Sequence, residues 1–217
     1  MNVWRVIPAV AALAMTVTVT AQEGPYDRPS ELEGVDVRDR IGMKLPLDAT
    51  FTNHDGETVT IGDYFVPGRP VILTPVFYEC PQLCTLVLND LAATMNNADV
   101  EPGADFHIVT FSFNPDETYE LAKVKRQAYL TQYRHENADD GWSFLVGEYD
   151  QITRLCESIG FTYNKLDDGS YGHAAMTVIV APDGTITHYL PELRHESRDM
   201  ELALADSSGG VVGSPLD

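Results

Sequence analysis

The sequence predicts an α/β fold in which a β-hairpin precedes an open sheet covered by helices. Three observations predict it. An apolar run of strand length, "RPVILTPVFY" (69–78), passes directly into "CPQLCTLVLNDLAATMNN" (80–97), where Leu83, Val87, Leu88 and Leu91 recur at helical spacing. A second strand-like run, "DFHIVTFSF" (105–113), leads into a second helical stretch, "NPDETYELAKVKRQAYLTQY" (114–133). Asp-Gly pairs at 55–56 and 183–184 each stand between alternating segments, the sequence signature of a tight hairpin.

Taken in order, the chain opens with Arg5 ahead of an apolar run from Val6 to Val19, and Val19-Thr20-Ala21 offers a small-residue cleavage site. The run carries Pro8, Thr16 and Thr18 and is shorter than the ~20 apolar residues of a spanning helix, so residues 1–21 read as an export signal peptide. A retained membrane anchor is the second choice, and the expected location is the periplasm, with no membrane span after processing. Residues 22–45 are polar and without a period, an extended lead-in. A single domain is expected over 46–206, and a disordered tail over 207–217.

Within that domain "ATFTNHDGETVTIGDYF" (49–65) is the hairpin, with His54 expected to be solvated in its turn. The run 69–78 suits a central strand covered on both faces, because apolar residues are continuous rather than alternating. For the helix after the second strand, Asn114 is the expected cap, Pro115 the first helical residue and Glu117 the reciprocal capping-box partner. "RHENADDG" (134–141) reads as a charged loop, "WSFLVG" (142–147) as a short strand and "EYDQITRLCESIGF" (148–161) as an amphipathic helix ended by Gly160. In that helix Ile152, Leu155, Cys156 and Ile159 form the buried stripe, which makes Cys156 a small core hydrophobe. A further short strand, a hairpin with arms 174–180 and 185–190, and a last helix from Ser197 to Ala205 complete the domain. The order βαβ then ββα, with cysteines at the first strand-to-helix junction, is a thioredoxin-like layout.

Fourteen basic against 33 acidic side chains give a net charge of −19 over 217 residues, which argues against a nucleic-acid partner. The chemistry concentrates in Cys80 and Cys84, at a junction where helix-type spacing would bring the sulfurs together and a helix N-terminus would favour thiolate. A plain disulfide would close only a short loop and add little. A redox-active Cys80–Cys84 couple is an alternative, although thioredoxin-like motifs place two residues between the cysteines and this one places three. A metal reading needs a third ligand, and soft thiolates with an imidazole suit copper. Of the six histidines, His173 is best placed, ahead of an apolar strand where a turn can aim its ring at a neighbouring loop. Met176 is expected in the core, His188 and His195 at the surface, Glu79 in solvent, His107 packed or at an edge, and the His135-Glu136 pair is discounted.

"FYECPQLC" (77–84), "SFNPDET" (112–118), "WSFLVG" (142–147) and "GHAAMTVIVAPDGTI" (172–186) together resemble the SCO/SenC family of copper-binding assembly proteins, from about Phe51 to about Leu190. The usual family segment reads Cys-Pro-Asp-x-Cys-Pro; here Gln82 replaces the acid and Thr85 the second proline, and Gly172 and Ala174 flank the histidine. The resemblance implies a thioredoxin-like fold and one copper ion, Cu(I) or Cu(II), held by Cys80, Cys84 and His173. It also implies delivery of that ion to, or upkeep of the thiols of, the copper centre of a cytochrome c oxidase subunit, with a thiol–disulfide reductant as a second partner. On this reading no substrate bond is broken, so the protein is a chaperone and not an enzyme; a thiol–disulfide oxidoreductase is the alternative.

Overall fold

The structure is a computed structural model, and it describes residues 34–80, 82–135, 138–190 and 195–213. The signal peptide expected over 1–21 lies outside the described residues. Among the described residues no helix is long and apolar enough to cross a membrane.

Strand β3 (Val71–Val76) is buried along its whole length, as its unbroken apolar run requires of a central strand. It pairs in parallel with β4 (His107–Ser112), which pairs in parallel with β5 (Trp142–Val146). Strand β1 (Thr50–Asn53) lies antiparallel to β5 and carries β2 (Thr58–Thr60) beyond it, so the expected hairpin forms one edge of the main sheet. On the other side of β3 come β8 (Thr177–Val180) and β9 (Ile186–Leu190), both antiparallel to their neighbours. The sheet order is therefore β2-β1-β5-β4-β3-β8-β9. A separate two-stranded ribbon, β6 (Tyr163–Lys165) with β7 (Tyr171–His173), stands outside it.

Helix α1 (Leu83–Asn96) lies in contact with both α2 (Tyr119–Gln132) and α5 (Ser197–Ser208). Trp142, Phe106, Phe111, Phe113 and Phe144 are fully buried, and each such side chain contributes roughly 1.5–3 kcal/mol through its removal from water. The short helix α3 (Ala138–Gly141) occupies part of the segment expected as a charged loop. Helix α4 (Tyr149–Ser158) buries Ile152, Leu155 and Cys156, as its periodicity predicts. Gly160 follows at φ +66°, and a Cβ there would run into the carbonyl of Arg38. Only glycine lets the lead-in cross at this point, where the Arg38 N–H donates to the Gly160 carbonyl at 2.8 Å. Val37 bridges to Phe161 and Lys44 to Thr185, so the lead-in is tied to the segment just after α4 and to the β8–β9 turn.

Three expectations are corrected here. The last helix does not stop at Ala205 but runs to Ser208, and the segment expected to be disordered from 207 is held as far as Gly213. The Ser207 hydroxyl lies 2.6 Å from that of Thr187, and the Gly213 N–H donates to the Thr187 carbonyl at 2.9 Å. Helix α2 does not open at Asn114: it starts at Tyr119 behind Thr118, whose hydroxyl accepts the Leu121 N–H. Glu117 is thus outside the helix, and its carboxylate has other partners.

Candidate metal centre

Cys80, Cys84 and His173 come together. Their three donor atoms lie within 4.8 Å of one another, the one such group among the described residues. The route differs from the helical one expected. Cys80 stands before α1, while Cys84 is its second residue, so the two do not share a helical face. A turn over Phe77–Cys80, closed by the Cys80 N–H on the Phe77 carbonyl at 3.2 Å, folds the first cysteine back instead. The Cys84 N–H then points at Cys80 Sγ at 3.4 Å, and the Phe77 N–H points at Cys84 Sγ at 3.3 Å.

His173 is the last residue of β7, not a member of a turn before β8. Its Nε2 lies 3.3 Å from Cys84 Sγ, and its Nδ1 lies 3.0 Å from the Ala174 carbonyl. A carbonyl only accepts, so Nδ1 carries a proton and Nε2 is the ring nitrogen that faces the sulfur. The ring is edge-on to Phe77 and packed beside Phe113 and Phe161. Exposures of 8% for Cys80, 3% for Cys84 and 7% for His173 make this a cluster under the surface.

All three cysteines are free thiols in this structure. The two in the cluster differ sharply. The Cys84 thiol beside it, with backbone N–H groups of Cys84 and Gln82, lowers the Cys80 thiol to about 4. Burial, and the partner sulfur, push Cys84 far up. The two sulfurs are therefore unequal, Cys80 the more readily ionised and Cys84 the one that holds its proton harder. Two thiolates and one imidazole form a soft donor set of the kind that selects Cu(I), and copper accepts three ligands.

The other residues weighed from the sequence lie outside this cluster. Met176 is in the core, as expected, and Cys156 is buried in α4 with its thiol pushed up by burial. Glu79 is exposed, as expected. His107 opens β4, partly buried. His135 is held by the Met95 carbonyl at 3.0 Å and Glu101 at 3.2 Å. Three histidines are more enclosed than expected. The His54 side chain is only 12% exposed, tucked against β5 with Nδ1 3.4 Å from the Phe144 N–H. His188 reaches the Ser207 hydroxyl at 3.2 Å, and His195 lies 4.0 Å from Asp90 with its side chain 12% exposed. Polar partners close at hand let these rings be covered.

The sequence reading missed Glu117 as part of the site's surroundings. Its Oε2 accepts the Tyr78 N–H and its Oε1 the Glu79 N–H, each at 2.8 Å, and the Ser112 hydroxyl donates to Oε2 as well. A signal was present in Thr118-x-x-Leu121, a better helix start than Asn114, which leaves Glu117 free for a tertiary partner.

The SCO1/SenC family model matches residues 45–205. None of the curated proteins matches this chain. Among solved structures it is similar to a protein of Aquifex aeolicus VF5, at 22% identity and a TM-score of 0.69, with 79% of this chain and 95% of that one covered. It is also similar to Arabidopsis thaliana ScoI, solved with copper bound, at 20% identity and a TM-score of 0.60, over 78% of this chain and 99% of that one. A third is BsSco, a member of the Sco family of cytochrome c oxidase assembly proteins with a disulfide switch. The likeness there is 18% identity and a TM-score of 0.60, over 80% of this chain and 98% of that one. These likenesses establish the thioredoxin-like α/β fold.

Proposed function

The chain belongs to the SCO1/SenC family, and on that premise we propose that it carries one copper ion on Cys80, Cys84 and His173. The observation that carries this reading is the convergence of those three donors, from two distant parts of the chain, within 4.8 Å. The donor set fits the cargo: two sulfurs, one of them readily ionised, and an imidazole whose Nδ1 is engaged by the Ala174 carbonyl while Nε2 faces Cys84 Sγ at 3.3 Å. The copper-bound state of Arabidopsis thaliana ScoI supports copper as the ion. Release occurs by ligand exchange, as thiolates of a recipient replace these donors one at a time. The recipient we propose is a respiratory copper centre, that of cytochrome c oxidase, in line with the family to which BsSco belongs. The site binds and releases an ion and breaks no substrate bond, so the protein acts as a chaperone. The leader around Arg5 and the apolar run to Val19 support a periplasmic location.

A second reading, thiol–disulfide exchange with a periplasmic partner, is favoured by one observation: the unequal thiols, with Cys80 poised as the attacking sulfur. Copper(I) titration of the reduced wild-type protein and of His173→Ala separates the two. The copper reading requires one ion per chain and a loss of about 10-fold or more in affinity without the imidazole. Unchanged affinity in the variant, with turnover of a dithiol partner by metal-free protein, would leave the redox reading in its place.

A further inference from the structure

The turn that delivers Cys80 has a feature the three donors do not explain. Its two central residues, Tyr78 and Glu79, both point their N–H groups at one side chain, the carboxylate of Glu117, which takes one on each oxygen at 2.8 Å. The turn's last residue is Cys80, and its first, Phe77, donates its N–H to Cys84 Sγ at 3.3 Å. Whatever fixes the two central residues therefore fixes both sulfurs. Glu117 itself is buried, and its orientation is set by the Ser112 hydroxyl at the end of β4. A carboxylate with three donors converging on it is a strong and directional clamp, since each bond is charge-assisted.

The same loop after β4 also holds the other half of the site. Asn114 Oδ1 accepts the Tyr171 hydroxyl at 3.0 Å, and Asp116 pairs with Lys165 at 3.1 Å. Tyr171 and Lys165 belong to the β6–β7 ribbon whose last residue is His173. One short loop thus grips the turn that carries the sulfurs and the ribbon that carries the imidazole.

We propose that Glu117 is the positioning residue of the metal centre, holding the 77–80 turn so that Cys80 and Cys84 stand ready for an ion before it arrives. It touches neither sulfur and is not a ligand; it acts through the backbone of Tyr78 and Glu79. This deepens the copper reading and rests on it for its metal readout, while its effect on the turn is independent of any ion.

The test compares Glu117→Asp, which keeps the charge and shortens the reach, with Glu117→Gln, which keeps the shape and replaces one acceptor oxygen by a donor. Ser112→Ala, which leaves both backbone bonds in place, serves as a milder variant should either fail to fold. Full-length metal-free protein is examined first by amide exchange and by the rate of Cys80 alkylation with iodoacetamide. Positioning predicts faster exchange at Tyr78 and Glu79 with Leu88 and Leu91 in α1 unchanged, and a more accessible Cys80, in both Glu117 variants. Copper(I) competition titration should then show affinity weakened by about 10-fold in both, and less in Ser112→Ala. The proposal is overturned if the turn loosens while copper affinity stays within about twofold of wild type, which would make Glu117 structural only. It is also overturned if Glu117→Gln alone weakens binding, which would assign the effect to charge. Should wild type bind no copper at all, the ligand assignment fails separately, and exchange and alkylation still decide the role of Glu117 in the turn.

Discussion

His173 Nε2 lies 3.3 Å from Cys84 Sγ although 89 residues separate the two in the chain. The sheet brings them together. Strand β3 ends just before the Cys80 turn, and β8, which starts four residues after His173, pairs antiparallel with β3 through Leu73–Val178. The C-terminal end of one strand and the beginning of its neighbour meet at one end of the sheet, which is where open α/β folds place their chemistry.

Unequal thiols should be visible by alkylation. In reduced, metal-free protein at neutral pH, Cys80 is a thiolate and the less covered sulfur, so iodoacetamide should label it first, with Cys84 and Cys156 lagging. Peptide mass mapping over a time course checks the order. Labelling of Cys84 ahead of Cys80 would reverse the assignment of the more readily ionised sulfur.

The third cysteine should be silent towards copper. Cys156 is buried in α4 and lies outside the donor cluster. Cys156→Ala is expected to cost about 1 kcal/mol of stability through lost packing and to leave copper stoichiometry and affinity unchanged. Urea unfolding and copper titration on the same preparation check both halves.

Gly160→Ala should be far more damaging than its exposed counterparts. The residue sits at φ +66° with the Arg38 carbonyl in the place a Cβ would take. The left-handed conformation alone costs about 1–3 kcal/mol for a residue with a side chain. Gly169→Ala, also at positive φ but with open space around it, lacks the collision and should lose less. Paired urea midpoints for the two variants test the difference.

Acid should begin to destabilise the protein in the histidine range. Burial lowers His54, aided by Arg126; it lowers His107, aided by Arg69; and it lowers His188, against the opposing pull of Asp206. Each takes up its proton near the ordinary pH of about 6.5 when unfolded but only at lower pH when folded. The unfolded chain therefore binds more protons over that interval, and the contribution of these three histidines is full above about pH 6.5 and is lost as pH drops through the folded values. Urea midpoints at pH 7.5, 6.5 and 5.5 should decline in that order, and a flat or rising series would contradict the assignment.

Much of this arrangement was legible in the sequence, and the exceptions share a cause. The unbroken run of β3, the periodicity of α1 and the Asp-Gly turns were readable because each is a local pattern whose period matches its element. His173 was found, but its placement on β7 was not, since a three-residue polar strand carries no alternation to detect. The start of α2 was misread because Glu117 fits a capping box on paper, whereas in space the N–H groups of Tyr78 and Glu79 take its carboxylate. The half-buried histidines escaped for the same reason: Ser207 beside His188 and Asp90 beside His195 become neighbours only in the folded chain.

The β3–β8 pairing makes the third donor depend on assembly of the sheet in a way the two sulfurs do not. The dithiol lies within one short stretch, whereas the nitrogen reaches it only with β8 paired onto β3 in the middle of the sheet. Any ion caught by the sulfurs alone is held by two atoms and readily lost to competitors. If the cluster takes copper as proposed, a product truncated before β8 is expected to hold the ion by two sulfurs at most and to retain it poorly.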